Sequence, residues 1–108
     1  MPLDLSSYRK AVEALEALLS VTTDEAYMDR LDGVACRGLQ AGAIQHFEFT
    51  YELAWKFMRR WIALNRTPED ADPRTRKDLF RIAALAGLIA DPEPWFEYGE
   101  ARNLSSHA

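Results

Sequence analysis

Apolar residues recur along this chain at intervals of three and four and never in sustained alternation, a regularity that predicts an all-α protein. Tyr8, Ala11, Val12, Leu15, Leu18 and Leu19 fall on one helical face, with Ser6 or Ser7 placed to cap its start. Thr22 and Thr23 interrupt the pattern, and Asp24 and Glu25 put negative charge where a second helix begins. That helix must cross Gly33, Gly38 and Gly42. Each costs about 1 kcal/mol relative to alanine in a helix interior, so the helix either persists weakly or breaks near Gly42.

From 43 to 64 the periodicity is strongest. Ile44, Phe47, Tyr51, Ala54, Trp55, Met58, Trp61 and Ile62 follow one stripe, while Phe49, Leu53, Phe57 and Leu64 follow another. A helix apolar on two sides has more surface than one bundle seam covers, which points to a homodimer packed through it. Residues 65–73 form a polar turn in which Asp72 and Pro73 read as an N-cap and a first helical residue. The next helix takes Leu79, Ile82, Ala83, Leu85, Ala86 and Ile89 as its apolar face, and Asp91-Pro92 supplies its stop and the following cap. A last helix carries Trp95, Phe96, Tyr98 and Leu104 toward His107. The expectation is one helical bundle domain over 1–108, with no repeat or linker dividing it.

Composition sharpens this picture in three ways. At 108 residues and 48% hydrophobic, the chain has the makeup of a single globular domain. The N-terminal stretch is broken by Asp4, Ser6 and Arg9, and no apolar run is long enough to span a bilayer, so a cytoplasmic protein away from membranes is expected. The lone Cys36 excludes an internal disulfide or a thiolate metal cluster and reads as a small buried hydrophobe. Net charge is -4, unlike a generic nucleic-acid binder. Yet residues 56–81 hold eight of the thirteen Lys and Arg against four acids, enough to present a positive face to phosphate or an acidic partner.

The densest polar cluster closes the chain: Arg102, Asn103, Ser105, Ser106 and His107 lie within six residues. A guanidinium for phosphate, an amide that orients and an imidazole that exchanges protons near neutrality are the parts of a metal-independent ribonuclease. On a straight helix Asn103 and His107 share a face, as do Arg102 and Ser106, but Arg102 and His107 point ~140° apart. They converge if the helix bends between Asn103 and Ser106, where Asn and Ser compete for backbone hydrogen bonds, or if two subunits each contribute. Glu48 and Glu52, like charges one turn apart, want basic partners. Lys56 is placed to serve Glu52, and Arg102 is the first candidate for Glu48. His46 has no HExxH spacing around it and reads as structural, and Trp55, Trp61 and Trp95 read as core or interface before base-stacking. With no P-loop, no glycine-rich dinucleotide fingerprint and no polymerase-type Asp pair, neither metal nor cofactor is expected, and the chain should not transfer nucleotides alone.

Two strings then stand out together, IQHFEFTYELAWKFM at 44–58 and AGLIADPEPWFEYGEARNLSSH at 86–107. They closely resemble the nucleotidyltransferase substrate-binding protein family, a branch of the HEPN superfamily. The resemblance implies an antiparallel up-and-down four-helix bundle, similar to the C-terminal domain of kanamycin nucleotidyltransferase. It also implies a dimer that partners a minimal nucleotidyltransferase, in which the HEPN subunit is an RNase toxin and the enzyme its antitoxin. The family's Arg, polar residue, three more residues, His motif falls on Arg102, Asn103 and His107, the implied catalytic set. Glu48, Glu52 and Ser106 would then bind substrate or partner. RNA or a nucleotide is the implied ligand, and a non-catalytic substrate-binding subunit of a two-component nucleotidyltransferase is the alternative. Family members run on past the histidine by a further helix opening with a modifiable tyrosine, whereas this sequence stops at Ala108. The expectation is a bundle that either lacks that last helix or does not record it in this sequence; a bundle lacking it would leave an apolar groove that favours pairing with another chain.

Overall fold

The computed structural model describes residues 3–67, 69, 71 and 75–107, with side chains through Leu104. Five helices follow in order: α1 (Ser6–Thr22), α2 (Glu25–Met28), α3 (Gly33–Asn65), α4 (Arg76–Leu85) and α5 (Glu93–His107). Among the described residues there is no strand, so the fold is all-α as the periodicity requires. No helix among them is long and apolar enough to cross a membrane. The chain divides into two compact units, Ser6–Thr50 and Met1–Leu5 with Tyr51–Ala108.

In the Ser6–Thr50 unit the second helix departs from expectation. What begins at Asp24 is the single turn α2, capped by the Asp24 carboxylate accepting the Tyr27 N–H at 3.1 Å. A second start follows at once, because the Asp32 carboxylate accepts the Ala35 N–H at 2.8 Å and so satisfies a first-turn donor of α3. From that cap the helix runs unbroken through Gly38 and Gly42, so neither glycine marks a break. The face expected of α1 is mostly half-buried, with only Ala11 fully covered. Thr50 is the one buried polar residue described; its hydroxyl donates to His46 O at 2.6 Å and lies 3.3 Å from Ala11 O, joining α3 to α1. Cys36 is half-buried, with its sulfur 3.2 Å from Met28 O.

The Tyr51–Ala108 unit holds the larger core, in which Tyr51, Ala54, Phe57, Met58 and Ile62 of α3 are buried together with Leu79, Phe80 and Ala83 of α4. Phe80, only 1% exposed, is its hub: Tyr51 meets it edge-on with ring centroids 6.3 Å apart, and Trp95 and Phe96 of α5 lie at 5.6 and 6.3 Å. The apolar face read for α4 included Leu85, which is 84% exposed, and omitted Phe80. Helix α4 starts later than the Asp72-Pro73 reading, residues that lie outside those described. Its cap is Thr75, whose hydroxyl accepts the Asp78 N–H at 3.2 Å. It also ends earlier, because Gly87 adopts φ +78° and closes a Schellman motif, Leu88 N–H to Ala83 O at 2.9 Å and Gly87 N–H to Ala84 O at 3.1 Å. Asp91 does serve the next helix, its carboxylate accepting the Glu93 N–H at 3.0 Å.

Candidate functional site

The chemistry-bearing side chains of the Tyr51–Ala108 unit meet at a cleft of about 480 Å³ lined by residues of α3, α4 and α5. Glycine at position 99 lets α5 come close to α3 there, since a Cβ on Gly99 would sit 3.0 Å from the Tyr51 hydroxyl. Glu52, carried on α3 one residue after buried Tyr51, is the hub of the polar wall. Arg76, at the first position of α4, grips it bidentately, Nη1 to Oε1 at 3.1 Å and Nη2 to Oε2 at 3.2 Å. Trp55, one turn further along α3, donates its indole N–H to Oε2 at 2.8 Å. Arg102 Nε stands 3.4 Å from Oε1, so two guanidinium groups and an indole converge on one carboxylate.

Aromatic rings fix the cations as well. The Arg76 guanidinium carbon lies 4.5 Å from the Trp55 ring centroid and 5.4 Å from that of Tyr51, distances at which a cation is attracted to a ring face. Burial pushes the Glu52 carboxyl upward, but the Trp55 hydrogen bond and the charges of Arg76 and Arg102 outweigh it and hold the group below its ordinary value of 4.5. Glu52 is therefore a fixed anion near neutral pH, acting as an orienting group and not as a proton carrier. The cleft is thus lined by Arg76, Lys77 and Arg102 together with Glu52, Glu100 and Asn103.

Several expectations change here. Glu52 takes its charge partners from Arg76 and Arg102, not from Lys56. Arg102, the first candidate for Glu48, lies 3.4 Å from Glu52, and Glu48 is half-buried and has interactions of its own. Helix α5 continues through His107, across the run from Asn103 to Ser106 where a bend or a second subunit was the expected route to convergence. The side chains of Ser106 and His107 lie outside those described, so their helical register alone is known: His107 on the Asn103 face, ~140° from Arg102. His46 is half-buried, and its Nδ1 has no hydrogen-bond partner among the described residues. Sequence reasoning missed Arg76 and Trp55. The signal for Trp55 was its place one turn after Glu52, and for Arg76 the excess of positive charge in 56–81.

A family model described as nucleotidyltransferase substrate binding protein like matches residues 3–108. The chain is similar to a Haemophilus influenzae protein named probable ribonuclease HepT, 36% identical over 108 residues that span 97% of this chain and 73% of that protein. It is also similar to a solved Haemophilus influenzae structure, described as revealing the fold of a substrate binding domain of a nucleotidyltransferase. That superposition has a TM-score of 0.83 at 36% identity, covering 96% of this chain and 78% of the other.

Proposed function

Because the chain belongs to the nucleotidyltransferase substrate-binding protein family, we propose that it is the RNA-cleaving, homodimeric partner of a minimal nucleotidyltransferase, the toxin of a toxin–antitoxin pair. The observation that carries this reading is the Arg102 guanidinium, brought by α5 into a cleft and oriented there on Glu52 beside Arg76. A guanidinium so held is placed to meet the negative charge that a phosphodiester gains as it is attacked.

In the proposed reaction an RNA 2′-hydroxyl attacks the adjacent phosphorus, the bond to the 5′-oxygen breaks, and a 2′,3′-cyclic phosphate and a 5′-hydroxyl result. His107 accepts the 2′-hydroxyl proton and returns one to the leaving oxygen. Arg102 stabilises the phosphorane, Asn103 orients the phosphate, and Ser106 and Glu48 bind substrate or partner. Glu52 acts through Arg102 and Arg76 as a positioning residue. The regular helical register of α5 sets Arg102 and His107 ~140° apart, so in this reading the working pair takes its arginine from one copy and its histidine from another.

RNA cleavage by the purified protein is the test. Arg102→Ala and His107→Ala are each expected to lower the rate by about a hundredfold or more, with the fold intact and EDTA without effect. Mixing the two variants should restore part of the activity, because one of the two sites in a mixed dimer is then whole. A second reading, a non-catalytic substrate-binding subunit, is favoured by what the solved relative is described as. Nucleotide or partner binding in a parent protein that cleaves no RNA would decide for it.

A further inference from the structure

Beside the Glu52 network, α4 carries two more cations whose placement that network does not explain. Lys77 and Arg81 stand one turn apart, the Lys77 ammonium 5.6 Å and the Arg81 guanidinium 5.3 Å from the centroid of the same ring, Phe96 of α5. Among the described residues Lys77 has no carboxylate partner. Arg81 has Asp78 at 3.1 Å, but both side chains are largely in water, where such a pair contributes little and exchanges readily for another anion. Lys77 also lines the cleft together with Arg76 and Asn103, so the two cations form a strip ending at the candidate site.

Resting long side chains on an aromatic face restricts them before any ligand arrives, which lowers the entropy cost of binding. A row of preset cations one helical turn apart suits successive phosphates of a polyanion. At about 480 Å³ the cleft has room for a group of single-nucleotide size. The edge-on pair of Trp95 and Tyr98, ring centroids 5.3 Å apart, adds aromatic surface of the kind on which unpaired bases stack. We infer that Lys77 and Arg81, held over Phe96, form a backbone-binding strip that leads a single strand of RNA into the cleft. This rests on the reading that RNA is the cleft's ligand.

Fluorescence anisotropy with a labelled oligouridylate carrying 2′-O-methyl groups tests the strip, because that strand lacks the 2′-hydroxyl nucleophile and reports binding apart from cleavage. The Lys77→Gln, Arg81→Gln double variant should bind on the order of tenfold more weakly than the parent. Its slope of log affinity against log salt should shrink by roughly 0.7 for each phosphate that is no longer neutralised. Lys10→Gln, which removes one like charge from α1, should change neither, and matching thermal unfolding curves would confirm that the double variant is folded. Unchanged affinity and slope in the double variant overturn the inference, as does duplex RNA binding as tightly as the single strand. Displacement of RNA by poly-L-glutamate as effective as by RNA itself would assign the strip to acidic proteins and overturn it too. A parent that cleaves RNA while the double variant binds undiminished sinks the strip and spares the nuclease. A parent that binds but does not cleave, with the double variant impaired, upholds the strip and sinks the nuclease. A parent that neither binds nor cleaves RNA sinks both.

Discussion

Glu52 is the residue on which the candidate site depends. Its side chain is 27% exposed, so water partly screens its pairs, yet two arginines and an indole N–H hold it ionised. A carboxyl whose folded pKa lies below its unfolded value stabilises the fold in full above the unfolded value and loses that contribution as pH falls through the folded one. The stability gap between the parent and Glu52→Gln is therefore expected to be constant at neutral pH and to shrink below about pH 4.5. Denaturant unfolding across a pH series measures it; a gap that widens in acid would contradict the assignment. At this scale the sequence was half legible. Spacing identified Glu52 as a carboxylate in need of a cation but chose Lys56, its neighbour on the same helix, because only same-helix partners can be read from spacing. The partners that count come from α4 and α5, and no one-dimensional pattern ranks Arg76 above the other cations of 56–81.

Element boundaries turn on caps and glycines, and the glycines here divide into two kinds. Gly87 occupies a left-handed conformation that an L side chain resists. Gly38 and Gly42 sit inside α3 with open space where a Cβ would stand. Gly42→Ala is thus expected to stabilise the protein by about 0.5–1 kcal/mol, whereas Gly87→Ala should destabilise it by about 1–2 kcal/mol. Thermal unfolding of the two variants checks both signs at once, and a Gly42→Ala loss would mean that α3 needs flexibility there. Of the two courses open to the glycine stretch, persistence and not a break at Gly42 is the one found, since propensity yields to a good cap at Asp32 and to tertiary packing further along. The strong two-sided period of 43–64, by contrast, lies entirely within α3.

At the scale of the whole molecule, apolar surface is left over. Phe49 and Leu64 of α3 are 57% and 58% exposed, and Leu104 of α5 is 74% exposed. These side chains fit the proposed dimer through α3. Light scattering at micromolar concentration should return twice the chain mass for the parent and the single-chain mass for Phe49→Ser, whose exposed position leaves the monomer's fold intact. Phe57, which is buried, behaves otherwise: Phe57→Ala is expected to cost about 3–5 kcal/mol of fold stability. A parent that scatters as a single chain rules the dimer out, and with it the shared Arg102–His107 site.

Legible in one dimension is whatever depends on neighbours within a few turns: an all-α chain, the apolar stripes of α3, the polar cluster at 102–107, and the two strings that carry family membership. Helical period and local motifs are fixed by residues three to seven positions apart, so they survive without a fold to consult. Folding in three dimensions settled which cations meet Glu52 and which face of α4 is core. Those outcomes depend on side chains about twenty-four to fifty positions apart. Their choice is made by packing around Phe80 and by the close approach at Gly99, which no spacing along the chain encodes.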